Sequence, residues 1–501
     1  MIPINYAQML RLAMPEVIVA IMALIVLATD LLFLRRYQTR VRFAIAAGLA
    51  AFGCAGAILQ LLLSPAQANV LDGMLVANPL THLVQIALLI LTILTLLLSV
   101  DSSFTEHVGE FVLLILAATI GMMFLAGSQD ILIIFISLEL LSLSLYILTA
   151  FDKRSARSSE AALKYFLFGG MSAGFLLFGF SLLYGLSNST SLIRIAGAIH
   201  GHILNPLLVI AIVTTVIGLG FKVAAVPFHF WAPDVYQGAP VPSAAFIASG
   251  SKVASFFIFF QVMAIGFAGA EGSATWRHFT PGWVSILAVV AALSMVLGNL
   301  VAIVQSSVRR LLAYSAIAHA GYMLLALLLH TQQSLAALLY YVVTYAFATL
   351  GAFGVIAVVE KRTGGDQLSD FDGLSRRAPI LSFCLSIFLL SLAGIPPLAG
   401  FFGKFYLFVS VLAGASGFTG LLWLVVLAIA MSAVSLYYYL QVLKRMYVAS
   451  PPEKVERMHV PILSQIVIVL LAAATVLLGC APHLLLRWIM ESIQVSGLLF
   501  G

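Results

Sequence analysis

What most constrains this chain is the length of its apolar runs. A helix that crosses a bilayer needs about 20 mostly apolar residues. The sequence holds fourteen such runs, at 15–34, 41–63, 78–99, 109–127, 130–151, 159–187, 204–226, 242–267, 282–304, 309–329, 334–360, 379–411, 417–448 and 462–485. Breaks such as Arg35-Arg36-Tyr37-Gln38-Thr39-Arg40, Ser64-Pro65 and Ala449-Ser450-Pro451-Pro452 separate them. Strands of a membrane barrel would alternate in segments of about 10 residues, whereas these runs are long and uniformly apolar. The expected fold is an all-α polytopic membrane protein with fourteen transmembrane helices.

Only 9% of the 501 residues are charged and 62% are hydrophobic. Soluble domains carry about 25% charged residues, so a soluble globular protein is excluded, and a disordered chain would need the opposite balance. Cys54, Cys384 and Cys480 sit singly inside apolar runs, without the close spacing of a metal site or disulfide framework. They read as packing residues. The stretch from Met1 to Arg11 lacks the basic start of a cleavable signal.

Cytoplasmic loops are enriched in Lys and Arg, which tests the span count independently. Loops after odd-numbered spans hold 17 basic residues, including Arg35, Arg36, Arg40 and Arg42, Lys153, Arg154 and Arg157, Arg309 and Arg310, and Lys454 and Arg457. The other loops and both termini hold 4, namely Arg11, Arg194, Arg277 and Arg487. Both termini are therefore expected on the side away from the cytoplasm. Of the 25 basic residues, 25 − 17 − 4 leaves 4, all lysines inside the spans: Lys164, Lys222, Lys252 and Lys404.

A lysine near the bilayer centre costs about 2.5–3.5 kcal/mol on insertion scales, so a charge there is by default a candidate functional residue. Lys164 lies near enough to a span end to snorkel to the surface. Lys222, Lys252 and Lys404 lie deeper. Glu139 falls midway along span 5, where a carboxylate must be protonated, paired or facing a hydrated cavity. Glu110, just inside span 4, reads equally as an interfacial residue. A row of such groups can pass protons. His319, in mid-span, and His229, beside Pro227, suit a relay because an unperturbed imidazole titrates near pH 6.5; both also fit as hydrogen-bonded packing residues.

Spans 7 and 12 are broken by their own sequence, at Val226-Pro227-Phe228-His229 and at Gly394-Ile395-Pro396-Pro397. Proline removes a donor and clashes with the preceding turn, and such breaks are tolerated at membrane depth only in protein or beside a hydrated cavity. The two spans are five helices apart, which fits an inverted repeat that relates Lys222 to Lys404. The expected organisation is helices 1–3 over 1–106, a first repeat of helices 4–8 over 107–270, a second of helices 9–13 over 278–448, and helix 14 within 449–501.

The run Val226-Pro227-Phe228-His229-Phe230-Trp231-Ala232-Pro233-Asp234-Val235-Tyr236-Gln237-Gly238-Ala239-Pro240, with Gly394-Ile395-Pro396-Pro397 and Gly403-Lys404, resembles the antiporter-like subunits of respiratory complex I over essentially the whole chain. Ser251-Lys252, Lys404 and Leu138-Glu139-Leu140-Leu141-Ser142 are similar to the N type among them. Val241-Pro242-Ser243 departs from the family, where a threonine is more usual.

The resemblance implies a proton-translocating subunit of a bacterial inner-membrane NADH:quinone oxidoreductase. It also implies a path in which Glu139 pairs with Lys164, Lys222 is the central exchangeable site, Lys252 connects it inward and Lys404 hands protons on, with His229, His319 and Glu110 as weaker members. No cofactor or metal is expected on this chain. FMN, iron–sulfur clusters and NADH belong to partner subunits, and the expected neighbours are the M-type antiporter-like subunit and the small K/J-type subunits. The alternative is a subunit of a multisubunit cation/proton antiporter of the same superfamily.

Overall fold

The computed structural model describes residues 6–64, 68–70, 73–199, 205–276, 278–329, 331–414, 420–450 and 458–497. Arg277, Lys454 and Arg457 of the charge tally, and the breaks at Pro65 and Pro451-Pro452, lie outside the described residues.

Twelve helices among the described residues are long and apolar enough to cross a membrane. The two remaining runs form shorter helices: 204–226 gives Pro206–Lys222, and 379–411 gives Pro379–Ala393 followed by Ala399–Gly414. A short helix, Trp231–Gly238, follows the first of these. Helix starts are set by polar caps, as at Asn78 and Thr331, whose side chains each accept from the backbone three residues on, and at Asp130, Ser155, Asn205 and Ser307. Two short antiparallel strand pairs, Ala68–Val70 with Leu75–Ala77 and Ser273–Thr275 with His278–Thr280, are not foretold by the apolar runs.

The loops sort to two ends. At one, Asp101 forms an ion pair with Arg40 at 3.1 Å and accepts from the Ser464 hydroxyl at 2.9 Å, and its backbone carbonyl accepts from Lys361. Arg154 reaches Glu106, Val308 N–H donates to Asp366, and Met458 N–H donates to Arg377. At the other end, Val76 N–H donates to Gly127, Leu192 N–H to Gln129, and Trp276 N–H to Gly420. Loops that the basic residues assign to one side are thus joined to one another.

Within the segment Val241–Gly266 every residue from Pro242 to Met263 is buried inside the bundle, and the 32-residue helix Gln332–Thr363 is buried along most of its length. The helices Met14–Thr29, Ala156–Ser187 and Leu422–Tyr447 show apolar faces outward. Such faces suit lipid, where helices associate by packing and hydrogen bonding rather than by leaving water.

Candidate functional site

Three of the four lysines are buried where helices stop. The Pro206–Lys222 helix ends at Lys222, and Ala224 just beyond takes a left-handed φ of 56°, which a residue other than glycine adopts at a cost. This break leaves the Val223 carbonyl without a helical partner. The ammonium of Lys252 donates to it. Lys252 is 1% exposed and follows a second interruption, at Ser249, that splits the run 242–267 into Val241–Ala248 and Gly250–Gln261. No proline sits at Ser249, and the sequence reading does not predict that stop.

Lys222 itself donates to the Ser142 hydroxyl, whose own proton goes to the Leu138 carbonyl. The Tyr146 and Phe221 rings flank its ammonium at 5.7 and 5.6 Å, a favourable cation–π placement. Glu139 has no direct partner among the described residues but acts electrostatically on Lys222 and Tyr146. It lies three residues before Ser142 on the Ile131–Thr149 helix, and so on the same side as the Lys222–Ser142 contact.

The second proline break repeats the device differently. The helix Pro379–Ala393 stops at Gly394, whose φ of 88° favours glycine, and a Cβ there would lie 3.1 Å from Cδ of Lys404. Lys404 donates to the freed carbonyls of Leu392 and Ala393, at 3.0 Å each, and to the Ser432 hydroxyl at 2.8 Å. Three acceptors match the three donors of an ammonium.

Between the lysines lies His319, 2% exposed, with Nδ1 2.7 Å from the Tyr341 hydroxyl and Nε2 3.2 Å from that of Tyr439, which also meets Ser315. Lys252 and Lys404 both act on it electrostatically. A lone histidine in an apolar helix gives no hint of these tyrosines, which come from two other helices.

The structure corrects the expected Glu139–Lys164 pairing. Lys164 is partly exposed and meets Glu160 at 2.7 Å and Asp234 at 2.8 Å, and Asp234 also takes Arg310 at 2.7 Å. The physical reason is proximity to two accessible carboxylates at the bundle end, where ions keep their hydration. His229 stands apart from the row: it is half-buried against Phe230, and its Nδ1 has no partner among the described residues. Glu110 lies near the basic end, 3.3 Å from His107 and within the field of Arg42.

Two buried acids in the first membrane span, Met14–Leu34, are not foretold by the tally of basic residues. Asp30, fully buried, holds Arg42 through two hydrogen bonds of 2.8 and 2.6 Å and accepts from Gly109 N–H at 2.9 Å. Glu16 accepts from Gln85 at 2.8 Å. Among the described residues no three His, Cys, Asp or Glu side chains are grouped to hold a metal ion. Cys54 and Cys384 are buried and Cys480 is exposed, and all three are free thiols.

A many-helix membrane bundle whose buried lysines are held by broken helices defines an ion-translocating, antiporter-like membrane subunit. The family model described as "NADH:quinone oxidoreductase/Mrp antiporter, TM" matches residues 128–432, and the chain belongs to that family. It is 56% identical over 498 residues to NADH-quinone oxidoreductase subunit N 2 of Acidobacterium capsulatum, covering 97% of this chain and 99% of the relative. A chain of respiratory complex I from Thermus thermophilus superposes with a TM-score of 0.77 at 34% identity, covering 94% of this chain and 98% of that one. A chain of the Mrp complex from Dietzia sp. shares the fold, with a TM-score of 0.80 at 18% identity over 97% of this chain and 98% of the other.

Proposed function

We propose that this chain is the N-type proton-translocating membrane-arm subunit of an NADH:quinone oxidoreductase, moving protons along Lys222, Lys252, His319 and Lys404 while the redox chemistry proceeds on other subunits. The observation that carries this reading is the contact between Lys252 and the Val223 carbonyl, which brings a second buried lysine to the residue after Lys222. Glu139 biases the charge of Lys222 from the side. Lys164, held by Glu160 and Asp234, works at the edge of this row, and His229 and Glu110 serve as flanking groups.

In this reading FMN, iron–sulfur clusters and NADH reside on partner subunits, and the nearest neighbours are the M-type and the small K/J-type membrane subunits. The chain resides in the inner membrane of a bacterium with both termini on the periplasmic side, as the basic loops indicate through their expected preference for the cytoplasm. The likeness to the Mrp complex supports one competing reading, a subunit of a cation/proton antiporter. Co-purification separates them: recovery with NADH dehydrogenase subunits supports the first, and sodium-dependent antiport without such subunits supports the second. The direct test is Lys222→Ala in the assembled complex, where loss of proton pumping is expected and unchanged pumping would reject the site.

A further inference from the structure

The basic end of the bundle contains a cavity of about 580 Å³, within the range of about 300–1,000 Å³ that suits a small molecule. Its wall is assembled from distant stretches of chain: Arg40 and Arg309, with residues from 98–104, 152–157, 237–242, 354–366 and 459–464. Two features fix it. Arg309 is 4% exposed, and all three of its guanidinium nitrogens are taken, by the carbonyls of Tyr236 and Ala239 and by Glu360. Gly238 lets that wall approach the start of the Ala156–Ser187 helix, since a Cβ there would lie 2.7 Å from the Arg157 carbonyl oxygen.

Five cations, Arg40, Arg157, Arg309, Lys361 and Arg362, line this space with four carboxylates, Asp101, Asp152, Glu360 and Asp366. The near balance of charge conceals an imbalance of hydrogen bonding. Asp101 holds Arg40 with one oxygen and accepts from Ser464 with the other. Both oxygens of Glu360 take Arg309, at 3.2 Å each. Asp366 accepts from Ser307 and from Gln367, and Asp152 accepts from the Arg154 N–H. Seven of the eight carboxylate oxygens are thus engaged. The donors are not. Arg40 uses only Nε, on Asp101, and Arg362 only Nη2, on the His459 carbonyl. Arg157 is exposed and has no partner among the described residues. Three parts of the chain therefore bring unused guanidinium N–H groups to one cavity whose acceptors are occupied. Membrane topology requires only that basic residues lie on one side; it does not require that they surround one space. The helices Ala156–Ser187, Val308–Leu327 and Ile462–Cys480 also begin at this wall, and the positive ends of their dipoles add to the field.

We propose that this cavity binds a phosphate-bearing anion, with its oxygens held by Arg40, Arg157 and Arg362 and the remainder of the molecule against Leu98, Ala357 and Val358. A guanidinium presents paired N–H groups that match two oxygens of one phosphate, and it sheds water more easily than an ammonium. Lys361, whose ammonium donates to the Asp101 carbonyl, adds positive charge without being a direct ligand. The site uses none of the buried lysines and stands independently of the translocation reading. Two sources share this chemistry, the headgroup of an anionic phospholipid and a soluble phosphate ester on the basic side of the membrane.

The experiment uses the assembled complex carrying Ser103→Cys in a Cys480→Ser background. Ser103 is an exposed lining residue, and the remaining thiols of this chain, Cys54 and Cys384, are buried. Modification of this chain by a small uncharged thiol reagent is timed in detergent with and without inorganic pyrophosphate at constant ionic strength, and in nanodiscs of phosphatidylglycerol or phosphatidylcholine. Slowing by about fivefold or more in pyrophosphate supports the site and identifies a soluble phosphate ester. Slowing of that size only in phosphatidylglycerol supports it and identifies a lipid headgroup. Arg157→Gln/Arg362→Gln is expected to raise the half-protecting pyrophosphate concentration by about tenfold, because each lost charge-assisted bond is of the stronger kind, or to bring the phosphatidylglycerol rate to that in phosphatidylcholine. Protection by neither probe overturns the proposal, and so does protection that the double variant leaves unchanged. Both side chains are exposed, so this variant is expected to assemble. If it does not, Arg157→Gln alone, which gives up no hydrogen bond or ion pair among the described residues, carries the same two outcomes.

Discussion

Lys252 donates to the carbonyl of Val223, the residue at which the helix carrying Lys222 stops. Two buried cations thus share one break. Ser142 and two aromatic rings meet Lys222, whereas a single carbonyl is the hydrogen-bond partner of Lys252. Lys404, by contrast, has three acceptors. Under the proposed translocation role, an ammonium gives up its proton most readily where fewest bonds hold it, so Lys252, with one acceptor, would release more readily than Lys404, with three.

Lys252→Met should abolish proton pumping while sparing assembly. It leaves the Val223 carbonyl buried and unmet, a penalty of about 1–3 kcal/mol that should appear as a lower temperature of complex dissociation. Measuring NADH-driven acidification beside thermal stability separates the two effects: a stable variant that pumps normally would show that Lys252 is structural.

Ser142→Ala removes the hydroxyl that Lys222 donates to, and Ser142→Thr retains it. A hydrogen bond to a charged group contributes about 1.5–3 kcal/mol, so the alanine variant should pump at least several-fold more slowly and the threonine variant near the parent rate. Equal rates for the two would remove Ser142 from the machinery.

Much of this site is legible in the sequence, and the reason is dielectric. A lysine inside an apolar run has no ordinary explanation, so Lys222, Lys252 and Lys404 announce themselves, and proline announces the breaks near Lys222 and Lys404. What each lysine touches is not legible, because the acceptors are carbonyls freed by breaks elsewhere in the chain: Val223 for Lys252, Leu392 and Ala393 for Lys404. The stop at Ser249 carries no proline to mark it. Tyr341 and Tyr439 look like ordinary membrane aromatics until they meet His319. Lys164 misled for the opposite reason: its charge is conspicuous, yet it lies near enough to the end of the bundle to find Glu160 and Asp234.

Asp234→Asn should have only a modest effect on stability. Its partners Lys164 and Arg310 are partly exposed, and exposed ion pairs contribute about 0–1 kcal/mol. The same variant leaves Lys164 with Glu160 as its remaining anion, so pumping should change more than stability does. Thermal dissociation and pumping measured at low and high salt test this; the difference between Asp234→Asn and the parent should shrink as salt screens the pair.

The Asp30–Arg42 pair behaves differently because neither partner reaches much water, with side chains 0% and 10% exposed. Asp30→Asn leaves the Arg42 guanidinium without its anion and weakens the acceptor for Gly109 N–H. Breaking a fully interior pair costs about 3–5 kcal/mol. Arg42 begins its helix near the bundle end, so partial hydration should reduce the loss to about 2–3 kcal/mol. Replacing both partners, as Asp30→Leu/Arg42→Met, removes the uncompensated charge and should recover most of that stability. Gly109→Ala should resemble the single variant, since a Cβ at 109 would lie 2.8 Å from Cβ of Asp30 and push the carboxylate away. Dissociation temperatures of the four complexes test the set: a double variant no more stable than Asp30→Asn would show that the pair contributes through its geometry at the start of the Val108–Ala126 helix rather than through charge balance.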